Sequence, residues 1–217
     1  TNLEKTLKHK KLGYDCVALL DKASQANVWA IRKAGLGLLM SIRGDAKPIP
    51  FVEDTAVNPD KLGEFVRRFD EVVKAHDTEA GYYGHASVGC LHIRPLVSLK
   101  SQAGIKTMVS ISSEISDLVK EYGGSFSGEH GDGIVRGVWT EKMFGHTLYR
   151  AFQKIKEAFD PQGLMNPGKI IDCPPMTANL RYGAGYKAIP LTTQLDFSSD
   201  QGLSGAVDMC NGMGACR

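Results

Sequence analysis

Apolar residues recur with a period near 3.6 in three stretches of the chain. Leu62, Phe65, Val66, Phe69, Val72 and Val73 trace one face of a helix. Asn58-Pro59 opens it, with Asn as N-cap and Pro at the first position. Ile105, Met108, Ile111, Ile115 and Leu118, with Val109 and Val119 beside them, form a second helix that ends at Gly123-Gly124. Phe144, Leu148, Phe152, Ile155 and Phe159 form a third, which starts near Thr140 and stops at Asp160-Pro161. Ser24 to Ser41 also reads as helical around Val28, Ile31, Arg32 and Leu36, with Gly35 and Gly37 weakening it by about 1 kcal/mol each. Asp15 to Leu20 is a short apolar run of strand type. Pro48 to Asp54 is extended, because residues before proline avoid the α region. Between the helices lie Gly-rich, β-leaning segments, Glu79 to Leu96 and Gly124 to Val138, with one hairpin among them. The pattern predicts an α+β fold, an antiparallel β-sheet with flanking helices, rather than a doubly wound parallel sheet.

After residue 172 the periodicity stops. Pro174-Pro175, Pro190 and scattered Gly, Ser, Thr and Asp suit a linker or surface arm over 173–205, and 206–217 begins something new. Residues 1–172 read as the folded domain. The chain has 217 residues, enough for a sizeable core. A net charge of +2 excludes a strongly basic nucleic-acid surface. The longest apolar-plus-glycine run, Ala34 to Met40, is far short of the ~20 residues of a transmembrane segment. The polar, Lys-rich N-terminus has no signal peptide, and the chain reads as a piece of a longer protein. Five cysteines, with Cys16, Cys90 and Cys173 far apart, argue for a reducing, cytoplasmic compartment.

The 24 glycines cluster beside histidines and acidic residues. In Gly84-His85-Ala86-Ser87-Val88-Gly89-Cys90-Leu91-His92-Ile93-Arg94, a tight turn centred on Val88-Gly89 would make His85 and His92 a directly opposed pair, their Cβ atoms about 4.5–5.5 Å apart. Two imidazoles so placed suit one metal ion; the alternative is a pair of strand histidines bonded to backbone. In Ser125-Phe126-Ser127-Gly128-Glu129-His130-Gly131-Asp132-Gly133, Glu129 could be a third metal ligand and His130 a general base. The alternative there is a polar turn with Asp132-Gly133 at a hairpin tip. Arg32, within Trp29-Ala30-Ile31-Arg32-Lys33, reads as a carboxylate clamp or as a snorkelling surface residue. Asp160 to Lys169 is by itself a helix stop and a turn. Cys210-Asn211-Gly212-Met213-Gly214-Ala215-Cys216 has the look of an iron–sulfur ligand run with Met213 in the middle position, or of two free thiols on a flexible tail.

Taken in order, Trp-x-x-Arg, His-x6-His, Gly-Glu-His-Gly and Asp-Pro-x-Gly-Leu-Met-Asn-Pro-Gly-Lys resemble the C-terminal domain of FAD-linked oxidases. These belong to the vanillyl-alcohol oxidase superfamily, here the branch of D-lactate, glycolate and D-2-hydroxyglutarate dehydrogenases. The resemblance covers about Asp15 to Ile171 and implies a cap, or substrate, domain whose FAD sits mainly in a separate N-terminal domain. It implies a divalent metal, zinc first, on His85, His92 and Glu129, with His130 as base. Arg32 would bind the substrate carboxylate, and Asn166, Gly168 and Lys169 would approach the flavin. The usual first motif is His-x-Gly-Asp-Gly-Asn-Leu-His; Ser87, Val88 and Cys90 depart from it. Lys47 stands in for a substrate-binding lysine, and Arg94, where the family has Asn, would favour a second substrate carboxylate. Cys210 and Cys216 match the opening of a fused C-terminal iron–sulfur domain, to which electrons would pass and through which the protein would reach a membrane or cytosolic carrier. The implied reaction is oxidation of a 2-hydroxy acid to the 2-oxo acid. This chain alone is expected to bind FAD poorly and to oxidise nothing. A metal-dependent hydrolase and a non-catalytic docking module are the other classes these residues admit.

Overall fold

The computed structural model describes residues 2–11, 13–210 and 214. They fall into two compact units, divided after Ser41. The first holds helices α1 (Asn2–His9) and α2 (Lys22–Met40). The Asp21 carboxylate caps α2 by accepting the Ser24 amide at 2.8 Å. Val28, Trp29, Ile31 and Leu38 on α2 are exposed. The run Asp15 to Leu20 is not a strand. Among the described residues its unit holds no other strand, so its amides and carbonyls have no ladder to join.

The second unit is built on one sheet. Its strands are β1 (Ala46–Pro48), β2 (Thr55–Ala56), β3 (Ala80–His85) and β4 (Cys90–Ser98), and β4 pairs antiparallel with all the others. Helices α3 (Leu62–Ala75) and α4 (Gln102–Glu121) pack on this sheet. Along β4, Leu91, Ile93 and Val97 face the core, with Leu99 just beyond the strand, and there they meet Phe65, Phe69 and Val73 of α3 and Met108, Ile111 and Ile115 of α4. Each such side chain stabilises the fold by roughly 1.5–3 kcal/mol through burial. Asn58-Pro59 opens a single 3-10 turn, Pro59–Lys61, and α3 begins only after it, at Leu62, while α4 stops at Glu121, ahead of Gly123-Gly124 as expected. The Asn58 side chain accepts the Asp60 amide ahead of α3, and the Ser101 hydroxyl accepts the Gly104 amide at the start of α4. The α+β architecture with an antiparallel sheet and flanking helices is therefore observed.

Two further expectations change. The third helical run is broken into α5 (Thr140–Phe144) and α6 (His146–Phe159), because Gly145 takes φ 79° and ψ 160°, outside the helical region. The segment 124–138 is not a strand apart from one bridge, Ala56 with Ser125. Its amides are satisfied instead by a buried carboxylate and by turns, as described below. Beyond 172 the chain is irregular but tied to its unit. Met176 joins the core, and Lys100 pairs with Asp208 of α7 (Leu203–Asp208) at 2.6 Å. Among the described residues no helix is long and apolar enough to cross a membrane.

Candidate metal centre

The β3–β4 hairpin places two of the histidines. A single 3-10 turn, Ala86–Val88, joins the strands, and Gly89 closes it in the left-handed region at φ 69°. A Cβ at Gly89 would lie 1.8 Å from the Val57 carbonyl oxygen, so only glycine fits there. This four-residue connection pairs His85 with Cys90 and Tyr83 with His92. His85 and His92 are thus diagonal neighbours and not the directly opposed pair expected from a turn at Val88-Gly89. A register shift of two residues keeps both on one face, because side chains alternate with period two. Their rings meet edge to face, 5.3 Å between centroids.

The third and fourth groups come from the loop at 125–133, which the buried Asp54 organises. Its carboxylate accepts the His130 amide at 2.7 Å, the Glu129 amide at 3.0 Å and the Ser127 hydroxyl at 3.0 Å. The Asp54 carbonyl accepts the Gly128 amide at 2.7 Å. Asp54 itself sits at φ 81°, a strained conformation for a residue with a side chain. Burial pushes its carboxyl up, but the His130 and Glu129 amides and the Ser127 hydroxyl outweigh this and hold it below its ordinary range. Asp54→Asn is expected to cost about 1–3 kcal/mol of unfolding free energy near neutral pH, measured by urea denaturation. A depressed folded value means this stabilisation is present above the ordinary carboxylate value near ~4 and is lost as pH falls through the depressed one. The gap between wild type and variant should therefore close in acid; equal stability at neutral pH would contradict the role.

These supports bring four side chains to one point. The Nε2 atoms of His92, His85 and His130 lie 3.0, 3.3 and 3.4 Å from the same oxygen, Oε1 of Glu129. Ligand bonds of 2.0–2.2 Å at a tetrahedral centre leave donor atoms about 3.3 Å apart, so the spacing suits a divalent ion of zinc type. One donor atom from each of Asp54, His92, Glu129 and His130 lies within 4.8 Å of the others. Asp54 is better read as an anchor than as a ligand, since its two oxygens are already engaged by the loop amides, by Ser127 and by the Cys90 thiol at 3.5 Å. Burial first, and then Asp54, push that thiol up to about 11, which keeps it protonated and unsuited to ligation. Burial holds His92 below its ordinary value and so keeps the imidazole neutral, the form that binds metal.

Behind the histidines stands Glu53, buried at 3% exposure. Its Oε1 faces Nδ1 of His130 at 3.6 Å and Nδ1 of His92 at 3.7 Å. The His92 and His130 rings stack in parallel, 4.8 Å apart. The Glu53 distances are ion-pair separations and not hydrogen bonds, and Nδ1 of His92 is buried without a hydrogen-bond partner, so Glu53 faces the two rings as a charge. Arg94 pairs with Glu53 at 2.5 Å and bonds the Tyr83 hydroxyl at 3.1 Å, so its charge is already engaged by the protein. Sequence reasoning took Pro48 to Asp54 only as an extended run and missed Glu53 and Asp54. The signal available was two adjacent carboxylates ending an apolar segment, Phe51-Val52-Glu53-Asp54, whose neighbours must be buried.

The segment with Asn166, Gly168 and Lys169 is brought to the same loop. The Ile170 amide donates to the Gly133 carbonyl at 2.9 Å, and Lys169 bonds the Asn166 side chain at 2.8 Å. Asn166 and the β-branched Ile170 both take positive φ, 47° and 71°. Such strain persists where the surroundings impose it, commonly at functional segments. Lys47 is not brought to the cluster. It lies opposite Val97 on β1, across the pleat from His92 and Arg94, and its ammonium donates to the Ile42 carbonyl. Arg32 stands exposed on α2 in the first unit. Cys210 is described and exposed; Cys216 lies outside the described residues.

Residues 5–170 match the family described as FAD linked oxidases, C-terminal domain. The chain belongs to this family. Over 219 residues the FAD-linked oxidase domain is 35% identical to a D-2-hydroxyglutarate dehydrogenase of Haemophilus influenzae, covering 99% of this chain and 21% of that protein. It is 36% identical over 196 residues to the protein of the same name from Escherichia coli, covering 89% and 19%. A D-lactate dehydrogenase of Archaeoglobus fulgidus is 33% identical over 132 residues, covering 61% of this chain and 29% of that protein. The chain thus spans about a fifth of the length of the first two relatives.

Proposed function

We propose that this chain is the substrate domain of an FAD-dependent dehydrogenase that converts a D-2-hydroxy acid to the 2-oxo acid. The observation that carries the reading is the convergence of three imidazole Nε2 atoms on one oxygen of Glu129. His85, His92 and Glu129 would hold a divalent ion, with zinc favoured by the donor set of nitrogen and carboxylate. When bound, the ion would supply Lewis acidity toward the substrate hydroxyl, and the flavin would supply the hydride acceptor.

The chain's own residues do the rest. His130 takes the hydroxyl proton at Nε2, while the Glu53 carboxylate stands 3.6 Å from its Nδ1. Arg32, by the motif resemblance, binds the substrate carboxylate. Asn166, Gly168 and Lys169 would approach the flavin; their segment is tied through the Ile170 amide and the Gly133 carbonyl to the loop of Glu129 and His130. The domain would occupy 1–172, followed by an arm over 173–205. Cys210 and Cys216 would then open an iron–sulfur domain that carries electrons onward to a cytosolic or membrane carrier.

The FAD domain needs a surface to dock on, and α6 offers one. This helix buries none of its residues, and its apolar positions Leu148, Ile155 and Phe159 are exposed, with Phe144 of α5 beside them. An apolar face of this kind on an enzyme domain marks an interface. The cytoplasmic reading draws support from the thiols of Cys16, Cys90 and Cys173, which are free.

The test uses the full-length, flavin-loaded protein with an artificial electron acceptor. D-2-Hydroxyglutarate, D-lactate and glycolate are the substrates to try, with L-2-hydroxy acids as controls. Turnover of at least one D-acid or glycolate, with bound flavin bleached anaerobically, is expected. The 217-residue chain alone should neither turn over nor hold stoichiometric flavin. No flavin bleaching by any 2-hydroxy acid, or ester hydrolysis by the isolated chain, would overturn the assignment.

A further inference from the structure

Arg136 carries a charge into a place with almost no solvent, at 7% exposure. It precedes the 3-10 turn Gly137–Trp139 and lies beyond the loop that supplies Glu129 and His130. Its two terminal nitrogens reach two different segments. Nη1 donates to the backbone carbonyl of Glu53, and Nη2 donates to the backbone carbonyl of Gly131 at 2.5 Å. Glu53 is the carboxylate behind His92 and His130, and Gly131 follows His130 directly. One planar guanidinium therefore spans the two strings of residues from which the centre is assembled. Asp54 joins the same two strings through amides, so the loop is gripped at both ends: Glu129 and His130 by a carboxylate, Gly131 by a guanidinium.

This arrangement needs a fork. Two carbonyls on separate segments are met by one rigid, always-charged group with parallel donors, and a lysine ammonium reaches only one of them well. A charge at this depth is costly unless its donors are used; here Nη1 and Nη2 are both bonded, and Nε is buried without a hydrogen-bond partner. The turn and loop that it joins do not form a ladder with each other at Gly131, so the guanidinium substitutes for missing strand pairing there.

We propose that Arg136 is a positioning residue for the metal centre: by clamping the Glu53 turn to the Gly131 end of the loop, it sets Glu129 and His130 against His85 and His92. The proposal rests on the metal reading given above and deepens it. Its test compares wild type, Arg136→Lys and Arg136→Met as the 217-residue chain. Three things are measured on each: zinc affinity by competition with a chromophoric chelator, thermal unfolding without metal, and hydrogen exchange at the amides of residues 129–131.

Arg136→Lys keeps the charge and the volume, and is expected to fold while binding zinc about 10–100-fold more weakly, as for other groups that orient ligands. Its loop amides should exchange faster than in wild type. Arg136→Met should weaken zinc further. A folded variant of either kind with wild-type zinc affinity overturns the proposal, whatever its unfolding midpoint; Arg136 would then serve stability alone. If neither variant folds, the positioning role fails likewise. A wild type that takes no zinc refutes the metal reading instead, and the clamp is then judged by loop exchange: unchanged exchange in Arg136→Lys refutes it, faster exchange upholds it.

Discussion

Glu129→Ala is expected to abolish stoichiometric divalent-metal binding while leaving the metal-free protein almost as stable as wild type. The two halves of this expectation come from different observations. Three Nε2 atoms face one Glu129 oxygen at 3.0–3.4 Å, so the carboxylate is the common neighbour of every nitrogen donor. Removing it deletes the one anionic ligand among neutral imidazoles and should weaken metal at least ~100-fold, the upper end for groups that merely orient ligands. Yet the Glu129 side chain is 44% exposed, and substitutions at such places usually shift stability by no more than about 0.5 kcal/mol. What Asp54 holds at this position is the Glu129 amide, which the substitution leaves intact.

Metal content by mass spectrometry after gel filtration gives the first readout: about one ion per chain in wild type and none in the variant. Thermal unfolding with added zinc gives the second. A ligand at 1,000 times its dissociation constant stabilises the folded state by about 4.1 kcal/mol, so wild type should rise in midpoint and Glu129→Ala should not. Glu129→Gln separates charge from shape and should also fail to bind. A Glu129→Ala protein that still holds one ion tightly would mean that the imidazoles suffice or that Asp54 turns inward, and Glu129 would lose its assignment as a ligand.

The contrast between Glu129 and Asp54 also explains what was legible in the sequence. Helix positions were legible because each has a local cause: a period of 3.6 in Leu62, Phe65, Phe69 and Val73, and a stop at Gly123-Gly124 beyond α4. The break at Gly145 was not, since an isolated glycine in a helical pattern is usually tolerated and only the φ of 79° shows otherwise. His85, His92 and Glu129 could be singled out by type and spacing, and the structure gathers them. The register of the hairpin could not, because Val88-Gly89 and Ala86–Val88 are equally good turns locally; Gly89 is fixed in place by its approach to Val57, a contact across the fold. Glu53, Asp54 and Arg136 escaped for the same reason. Asp54 accepts a loop amide 75 residues away in sequence, Arg136 donates to the Glu53 carbonyl 83 residues away, and Glu53 faces His92 and His130, and nothing local in the chain announces such contacts. Lys47 shows the converse. Its position in the chain suggested a substrate contact, but the pleat of β1 against β4 carries it to the other face.

His130 poses the question that Glu129 does not. Its Nε2 is as near the common oxygen as that of His85, 3.4 against 3.3 Å, so distance alone would allow it to be either ligand or base. Exposure separates it from His92 but not from His85, whose side chain is 48% exposed; what sets it apart from His85 is Glu53 at its Nδ1. The His130 side chain is 44% exposed and the His92 side chain 4%, so His130 is open to a substrate while His92 is sealed behind it. Its Nδ1 faces the buried Glu53 carboxylate at 3.6 Å. A base needs that arrangement. In the full-length, flavin-loaded enzyme, His130→Asn is therefore expected to retain the metal within a few-fold and to lose about 10²–10⁴ in kcat, the usual range for a positioned general base. Substrate KM should change little, since the lost interaction belongs to proton transfer more than to binding. His92→Ala supplies the control, for it should lose the metal and the activity together. If His130→Asn instead releases the metal, His130 is a fourth ligand, and the proton must leave the substrate hydroxyl through another group.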